Sequence, residues 1–465
     1  MNDDSSIARL AATLRDEIGR LRPGDRLPSS RELVRLHNVS PVTVSRAIGR
    51  LAAEGRVITK PGSGAYVAPA ITHGGDDTDM SWQTVALGDR MVDDSGVSGL
   101  LASPPEGVIP LTGGYLNMAL RPSGALSAAA SRALRRPDVW AMPPLAGVSE
   151  LRRWFAQELS GDIAPSDILV VSGGQAALVH TFRALAAPGT PLLVETPTYP
   201  GALAAARAAG LRATAVPMDR DGVKPELLAE AFAITGARVF FCQPTLHNPT
   251  GAILPLERRE QVLAVARAAG AFVIEDDYAR YLTSAPPPPP MVTLDTHGTV
   301  VHINSLTKAL SPSVRVAGIV ARGPAARRVR ANQLVESFFV ARPLQETALE
   351  FVSSPSWRRH LTALNTELTL RRNTLATALT THIPTAEIHL VPRGGLHMWV
   401  RLPDDQDEDA VVEAAKRAGA LVSPGRIYYP AEPPGPRIRV THSAAVHPAE
   451  LVEGVRRLAT ALAAS

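Results

Sequence analysis

The feature that most constrains the fold is a long alternation of two kinds of segment, which begins near residue 108. Short runs rich in β-branched and other apolar residues alternate with alanine-rich stretches of helical character. Strands connected by helices favour a mainly parallel sheet covered by helices on both faces. We therefore predict an α/β fold for this part of the chain. The predicted strands are Ile168–Val171, Pro191–Glu195, Val239–Cys242, Phe272–Glu275 and Val300–Asn304.

The length of the chain, 465 residues, is enough for more than one core. We divide it into a small domain at 1–68, a linker at 69–107 rich in Gly, Asp, Ser and Pro, and a large domain at 108–465. Cys242 is the one cysteine, so an intramolecular disulfide is impossible and a reducing compartment is indicated. The start of the chain lacks the pattern of a signal peptide, and no long apolar run follows. We expect a cytoplasmic protein without a membrane partner.

Charge is distributed unevenly along the chain. Residues 1–66 hold 11 basic and 7 acidic side chains, whereas residues 67–110 hold 1 basic and 7 acidic side chains. A basic small domain is typical of nucleic-acid binding, because contacts to phosphates supply much of the affinity. The same balance also occurs on ordinary solvated surfaces, so charge alone leaves both interpretations open.

Three helices are predicted in the small domain. The first spans residues 7–21 and ends before Pro23 and Gly24. Ser29 and Glu32 have the spacing of a capping box that starts the second helix. Ser40 and Pro41 are suited to the N-cap and first position of the third helix.

The third helix has two distinct faces. An apolar stripe faces the other helices, and a second stripe of Thr43, Arg46 and Arg50 is expected to face solvent, where it suits a DNA major groove. The β-rich runs 56–60 and 65–67 flank a Pro-Gly-Ser-Gly turn and predict a hairpin, which would form a wing. The alternative is a three-helix packing module with no role in DNA binding.

The small domain resembles the GntR family of winged helix-turn-helix proteins. The resemblance lies in GDRLPSSREL at 24–33, in Val39-Ser40 and Thr43-Val44, in Gly55, and in the wing sequence GSG at 62–64. It implies that Arg31, Ser40, Thr43 and Gly64 lie near DNA. Arg46 is added on helical geometry alone. Pro41 departs from the Arg that is frequent in this family, so the base preference is expected to differ.

In the large segment, polar residues follow the predicted strands, and ligands of such sheets bind at the carboxyl ends of the strands. Ser172-Gly173-Gly174-Gln175 precedes a helical stretch, so its amides suit an anion, although small residues at such turns are also common for steric reasons. Asp276 and Tyr278 follow the predicted strand Phe272–Glu275. A capped loop is an equally good interpretation of these residues.

Lys308 stands just beyond the last of these strands. A single lysine is usually a solvated surface charge. Here Ser305, Thr307 and Arg315 accompany it, and together they would form a phosphate clamp beside an amine that can form a Schiff base.

Five motifs in order resemble the fold-type-I aminotransferases, which depend on pyridoxal phosphate (PLP). They are SGGQAAL at 172–178, ETPTYPG at 195–201, HNPTG at 247–251, EDDY at 275–278 and SLTK at 305–308. With the small domain, the chain is similar to the MocR subfamily of GntR regulators. This resemblance implies a large PLP-dependent transferase domain with a smaller C-terminal α+β subdomain.

The resemblance also assigns roles. Lys308 would bind PLP covalently, Asp276 would pair with its pyridine nitrogen, and Asn248 and Tyr278 would hydrogen-bond the ring oxygen. Tyr199 would stack on the ring, and Arg439 would bind a substrate carboxylate, with Arg437 two residues away as the competing candidate. The phosphate would be held by Gly174, Gln175, Ser305, Thr307 and Arg315. No histidine spacing suggests a metal site, and we predict none.

One position departs from the aminotransferase pattern. Relatives usually carry a Tyr five residues before Gly147 that reaches the phosphate of the neighbouring subunit, and this chain has Met142 there. The departure favours cofactor binding without sustained turnover. The resemblance further implies a homodimer in which the small domain of one subunit crosses to the large domain of the other.

Three functions are compatible with these observations. The first is a PLP-dependent regulator that binds operator DNA and senses PLP, an amine or an amino acid. The second is a working aminotransferase with an accessory DNA-binding domain. The third, a repressor with an inactive cofactor domain, requires loss of Lys308 or Asp276, and the sequence retains both.

Overall fold

The structure is a computed structural model that describes residues 3–19, 21, 24–60, 64–68, 83, 86 and 94–463, with residues 3–5, 60 and 95 described by backbone alone. The chain folds as two compact units, Met1–Met91 and Val92–Ser465. The elements of the first unit are α1 (Asp3–Ile18), α2 (Ser30–His37), α3 (Pro41–Ala53), β1 (Val57–Lys60) and β2 (Gly64–Val67).

The first unit has the predicted winged helix-turn-helix elements. Ser29 and Glu32 form the predicted capping box, in which Ser29 N donates to Glu32 Oε2 at 2.8 Å. Ser40 caps α3 by accepting a hydrogen bond from Thr43 N at 3.1 Å. Strands β1 and β2 pair antiparallel as the predicted wing, whose turn at 61–63 lies outside the described residues. Helix α1 ends at Ile18, three residues before the predicted end.

The second unit is built on a sheet with the strand order β4-β11-β10-β9-β8-β5-β6-β7. Neighbours from β10 through β6 pair in parallel, whereas β11 runs antiparallel to β4 and β10. The elements up to this sheet's last strand are α4 (Ser95–Leu101), β3 (Ile109–Pro110), α5 (Ser123–Ala133), α6 (Ser149–Leu159), β4 (Ile168–Val171), α7 (Gly174–Leu185), β5 (Pro191–Thr196), α8 (Pro200–Ala208), β6 (Arg212–Asp219), β7 (Gly222–Val223), α9 (Pro225–Thr235), β8 (Val239–Cys242), α10 (Leu256–Ala268), β9 (Phe272–Asp276), α11 (Met291–Leu294), β10 (Val300–Ser305) and β11 (Ala317–Val320).

Helices cover both faces of this sheet. This is shown by alternate residues of its strands, which belong to different buried clusters. In β4, Ile168 and Val170 belong to one buried cluster, whereas Leu169 and Val171 belong to another. A sheet buried on both faces explains why the strands are almost continuously apolar. The predicted α/β class is confirmed.

A smaller α+β subdomain completes the second unit, as the resemblance implied. It contains an antiparallel sheet with the order β12-β13-β16-β15, and β14 pairs in parallel with β3. Helices α12 (Gly323–Ser337) and α13 (Arg342–Val352) precede the subdomain and contribute to the cores of the large sheet. The elements of the subdomain are α14 (Pro355–His382), β12 (Glu387–Ile388), β13 (His397–Arg401), α15 (Glu408–Arg417), β14 (Ala420–Leu421), β15 (Ser423–Pro424), β16 (Arg437–Thr441) and α16 (Pro448–Ala463).

Candidate functional sites

A cavity lies in the second unit, beside the ends of β8, β9 and β10. All residues predicted to bind the cofactor, and Arg439, line it. They are Gly174, Gln175, Tyr199, Asn248, Asp276, Tyr278, Ser305, Thr307, Lys308, Arg315 and Arg439.

Lys308 follows β10 by three residues and extends its amine into the cavity wall. Its Nζ donates a hydrogen bond to the carbonyl oxygen of Gly114 at 2.7 Å and lies 3.8 Å from the ring centroid of Tyr115. Burial, with the nearby cations Arg439 and Arg315, lowers the pKa of Lys308 to about 7 against the opposing effect of Asp276. A large share of this amine is therefore uncharged, and nucleophilic, at neutral pH.

Asp276 is the last residue of β9 and is almost fully buried. Its Oδ2 accepts a hydrogen bond from Nε2 of Gln243 at 2.8 Å. Burial raises the pKa of Asp276 to about 6, and this hydrogen bond opposes the rise. Asp276 is thus mainly ionised at neutral pH, which is the state that can pair with a protonated heterocyclic nitrogen.

One end of the cavity is suited to an anion. Helix α7 starts there without a side-chain cap, and Gly173 before it has a φ of +86°. A Cβ atom on Gly173 would lie 2.8 Å from Cζ of Arg315, so glycine is required for the guanidinium to approach this backbone. The Oγ1 of Thr307 is buried and has no hydrogen-bond partner within the described part of the chain. An oxyanion would supply that partner.

The polar groups along the middle of the cavity are held by other protein groups. Tyr199 donates its hydroxyl to Oε1 of Gln175 at 3.2 Å, and Tyr278 donates its hydroxyl to the carbonyl oxygen of Leu246 at 2.8 Å. Burial raises the pKa of both tyrosines well above the usual value, so both phenols stay protonated. Oδ1 of Asn248 accepts from Nη1 of Arg439 at 3.0 Å.

Arg439 lies on β16, and its side chain reaches the cavity. It donates to Asn248 and to the carbonyl oxygen of Gly113, and its Nη1 is 3.3 Å from Nε2 of His397. Its Nε is buried and has no partner among the described residues. The competing candidate, Arg437, is absent from the cavity lining and donates to the carbonyl oxygen of Gly435 at 3.2 Å. The geometry therefore favours Arg439.

The residues predicted to lie near DNA do not all share one surface. Arg31, Ser40, Arg46 and Gly64 are exposed in the first unit. Thr43 is 3% exposed, so its predicted place on the solvent-facing stripe of α3 is wrong. The reason is local, because its Oγ1 lies 2.8 Å from Oγ of Ser40 and takes part in the N-cap instead of projecting outward.

Several residues that line the cavity were missed by the sequence analysis. They are Gln243, Tyr115, His397 and, from α4, Val97, Leu100 and Leu101. Helix α4 lies inside the segment that was interpreted as linker. Gln243 directly follows the predicted strand Val239–Cys242, so the rule that located Asp276 could have found it as well.

The described residues contain neither a metal-binding cluster nor a membrane-spanning helix. No group of three or more His, Cys, Asp and Glu side chains in this part of the chain is placed to hold a metal ion. No described helix is both long enough and apolar enough to cross a bilayer.

Comparison with known proteins agrees with both units. Residues 112–458 match the family model of aminotransferase class I and II, and residues 7–67 match that of the gntR family of bacterial regulatory proteins. The alpha-aminoadipate aminotransferase LysN of Thermus thermophilus has a similar structure, with a TM-score of 0.73 and 25% identity over 80% of this chain and 97% of LysN. The fold and the cavity define a protein with an aminotransferase class I and II domain.

Full-length relatives also carry a helix-turn-helix. The uncharacterized HTH-type transcriptional regulator YdcR of Escherichia coli is 30% identical over 436 residues, which cover 90% of this chain and 91% of YdcR. The HTH-type transcriptional regulator TauR of Rhodobacter capsulatus is 28% identical over 96% of this chain and 93% of TauR. The chain belongs to this family of GntR regulators with an aminotransferase domain, the MocR subfamily named above on its motifs.

Proposed function

We propose that this protein is a transcriptional regulator that binds operator DNA through residues 1–68 and pyridoxal phosphate through residues 108–465, joined by an interdomain segment at 69–107. The observation that carries the proposal is that the predicted PLP ligands, drawn from separate motifs, line one cavity in a chain that also has a winged helix. Relatives named as HTH-type transcriptional regulators match both domains together, which supports a regulatory role.

The donor set of the cavity fits PLP. The anion end, with the start of α7, Ser305, Thr307 and Arg315, suits the phosphate, and the unpartnered Thr307 hydroxyl supports this assignment. Asp276 is ionised where a pyridinium nitrogen needs a counter-ion, and Lys308 supplies an amine with a lowered pKa. When bound, PLP supplies an aldehyde that condenses with amines and a ring that withdraws electrons.

The other residues that line the cavity would orient PLP and an amino-acid ligand. Tyr199, held by Gln175, would stack on the ring, and Gly174 and Gln175 would hold the phosphate with Arg315. Asn248 and Tyr278 would hydrogen-bond the ring oxygen, and Arg439 would bind the carboxylate of an amino-acid ligand. Lys308, Asp276 and Tyr278 are the residues that would contact the reacting part of PLP.

Sensing follows from the two-domain architecture. The effector is PLP itself or an amine or amino acid that binds at Lys308, and its binding shifts the equilibrium between two conformations with different affinities for DNA. Operator DNA is contacted by Arg31, Ser40 and Arg46 and by the wing at Gly64, whereas Thr43 supports the start of α3 through its hydrogen bonds with Ser40. The site of action is the cytoplasm.

A homodimer is the proposed assembly, with the small domain of each subunit crossing to the large domain of the other. Trp140 and Met142 are 78% and 72% exposed, and both line a surface depression together with Phe339. An exposed apolar patch of this kind indicates a protein interface, and a second copy is the proposed occupant.

Transamination is a second candidate function, because Lys308 and Asp276 are both present in the cavity. The 2-aminoadipate transaminase of Thermus thermophilus is 27% identical over 77% of this chain and 90% of that enzyme. Met142 has no hydroxyl to offer a neighbouring phosphate, which favours regulation over turnover. Sustained multiple turnovers with an amino donor and a keto acid would establish the enzyme, and half-reactions alone would not.

The regulator is tested with purified protein and the DNA upstream of its own and adjacent genes, titrated with and without PLP and amines. We expect an absorbance band near the visible edge, and operator binding that depends on PLP. Lys308→Ala should abolish both, whereas Lys416→Ala, on the surface of α15, should change neither. If Lys308→Ala leaves the band and the DNA response intact, the sensor role is wrong.

A further inference from the structure

We infer that the effector is an amino acid with one carboxylate and an uncharged apolar side chain, and that helix α4 recognises this side chain. The inference rests on the proposed sensor role and deepens it, because it names the chemical class of the ligand and the element that contacts it. Helix α4 spans Ser95–Leu101 and precedes the rest of the cavity-lining residues in the chain.

The charges of the cavity leave no partner for a second ionised group on the effector. The charged side chains that line it are Asp276, Lys308, Arg315 and Arg439. The proposed function already assigns these four to the pyridine nitrogen, the aldehyde, the phosphate and the effector carboxylate. His397 is uncharged at neutral pH, because burial and Arg439 lower its pKa well below the usual value. A cavity that offers no counter-ion disfavours a second ionised group, so glutamate-like and lysine-like side chains should bind more weakly than apolar ones.

The free part of the cavity wall is apolar and comes largely from α4. Val97, Leu100 and Leu101 line the cavity. The apolar side chain of Leu101 is 58% exposed to solvent. An aliphatic or aromatic effector side chain would remove this surface from water, which is favourable in proportion to the area covered.

Helix α4 is positioned next to the groups that would hold the effector's backbone. The Gly113 carbonyl oxygen accepts from Arg439, and the Gly114 carbonyl oxygen accepts from Nζ of Lys308. A Cβ atom on Gly113 would lie 3.7 Å from the carbonyl oxygen of Leu100. The end of α4 therefore lies next to Gly113 and Gly114, which hold Arg439 and Lys308. An amino acid bound between Arg439 and Lys308 would have α4 beside its side chain.

The packing position of α4 depends on one glycine, Gly96. A Cβ atom on Gly96 would already be in van der Waals contact with Cβ of Pro200 at 3.6 Å and Cβ of Ile427 at 3.7 Å. A Cβ atom on Gly99 would have no atom within 4 Å in the described structure. Because α4 lies within the proposed interdomain segment 69–107, a ligand that contacts α4 acts on the part of the chain that leads to the small domain.

Ligand preference is measured by calorimetry on the full-length protein loaded with PLP, with leucine, glutamate and lysine as probes. We expect leucine to bind at least tenfold more tightly than either charged amino acid. Leu101→Arg supplies a cation at the exposed end of the wall and should shift the preference toward glutamate by at least tenfold. Ser98→Arg adds the same charge at a residue of α4 that is absent from the cavity lining, and it should leave the preference unchanged.

The coupling is measured as operator affinity with and without leucine. Gly96→Leu should displace α4 and reduce the response to leucine at least fivefold, whereas Gly99→Leu, which makes the same change on the exposed side of the helix, should retain it. The two glycines gain the same helix propensity, so propensity cannot explain a difference between the variants.

The outcomes separate this inference from the proposed function. If the PLP band and PLP-dependent operator binding are present but glutamate or lysine binds as tightly as leucine, the effector class is wrong and the regulator stands. If Gly96→Leu and Gly99→Leu respond alike, α4 does not recognise the effector. If no amino acid binds the PLP-loaded protein, both the effector class and sensing of amino acids are wrong. Absence of PLP binding would overturn the proposed function itself.

Discussion

Gln243 donates its side-chain amide to Oδ2 of Asp276 at 2.8 Å, and both residues are almost fully buried. The same glutamine accepts a hydrogen bond at Oε1 from the backbone nitrogen of Asn248 at 3.2 Å. Gln243 therefore links the proposed partner of the pyridine nitrogen to the proposed partner of the ring oxygen. It is a positioning residue, because it orients two groups that would touch PLP.

Removal of this link should weaken PLP binding. Gln243→Leu leaves Asp276 without its donor, and the loss of a hydrogen bond to a charged group costs about 1.5–3 kcal/mol, or roughly a tenfold to hundredfold rise in Kd for PLP. The Kd is measured by fluorescence quenching, with Gln157→Leu at an exposed position of α6 as the control.

The pH dependence of this variant separates positioning from general damage. The pKa of Asp276 is about 6, and the ionised form that pairs with PLP is lost as the pH falls through this value. The Gln243 hydrogen bond lowers that pKa, so its removal should raise the pKa and move the acid limb of PLP binding to higher pH. An unchanged acid limb in Gln243→Leu would contradict the positioning role.

Lys308 should capture PLP with a midpoint near neutral pH. Its pKa is lowered to about 7, so the uncharged amine increases as the pH rises and is the main form above this value. An ordinary lysine would require a pH above 10 for the same fraction. The rate of appearance of the absorbance band, measured from pH 5.5 to 9.5, should reach half its plateau near pH 7.

Arg439 contributes to this midpoint through its charge. Arg439→Met removes a cation that lowers the pKa of Lys308, so the midpoint should move to higher pH. Arg437→Met, two residues earlier on β16 and outside the cavity lining, should leave the midpoint where it was. Equal shifts in the two variants would mean that Arg439 is not the cation beside the amine.

Gly173 should be required for phosphate binding beyond its effect on stability. Gly173→Ala strains a backbone with a φ of +86° and places a methyl group 2.8 Å from the Arg315 guanidinium carbon. Gly189→Ala is the matched control, since Gly189 has a φ of +84° and no atom within 4 Å of its Cβ position in the described structure. Both variants should lose about 1–3 kcal/mol of unfolding free energy in urea titrations. Only Gly173→Ala should also weaken PLP binding, and equal PLP affinities would contradict the displacement of Arg315.

The sequence was most informative where one physical rule acted alone. The strand Ile168–Val171 is confirmed to the residue, because a run that is buried on both faces must be apolar throughout. Asp276, Tyr278 and Lys308 were singled out because parallel strands end at the same edge, whereas Tyr199 and Asn248 were assigned by the aminotransferase resemblance alone. The short strands of the subdomain, such as Glu387–Ile388, have too few residues for a period to be visible.

Sequence reasoning failed where a long-range contact or a cap decides the outcome. Thr43 has the spacing of an exposed residue, but its hydroxyl lies beside Ser40 in the N-cap. Helix α4 is rich in Gly and Ser and has low intrinsic helix propensity, so it was assigned to the linker. Its contacts with Pro200 and Ile427 come from residues more than a hundred positions away along the chain, and no local pattern contains them.

Arg46 should contribute to DNA affinity through its exposed position on α3. Arg46→Gln is expected to weaken operator binding about tenfold, and to reduce the salt dependence by about one counter-ion if the contact is to a phosphate. Arg9→Gln removes the same charge from α1 and should have a smaller effect. Fluorescence anisotropy at several salt concentrations measures both quantities, and equal losses in the two variants would indicate a general electrostatic effect in place of a specific contact.

Trp140 provides the sharpest test of the proposed homodimer. It is 78% exposed within one chain and lines the same depression as Met142 and Phe339. Trp140→Glu should raise the dimer dissociation constant at least tenfold, because a buried interface disfavours an unpaired charge at its centre. Ile234 is 84% exposed at the end of α9, so Ile234→Glu makes the same kind of change outside the depression. Sedimentation velocity over a concentration series should show a monomer for Trp140→Glu and a dimer for Ile234→Glu and the wild type. A Trp140→Glu variant that remains fully dimeric at low concentration would exclude this surface as the interface, since burial of an unpaired carboxylate there could not leave the association unchanged.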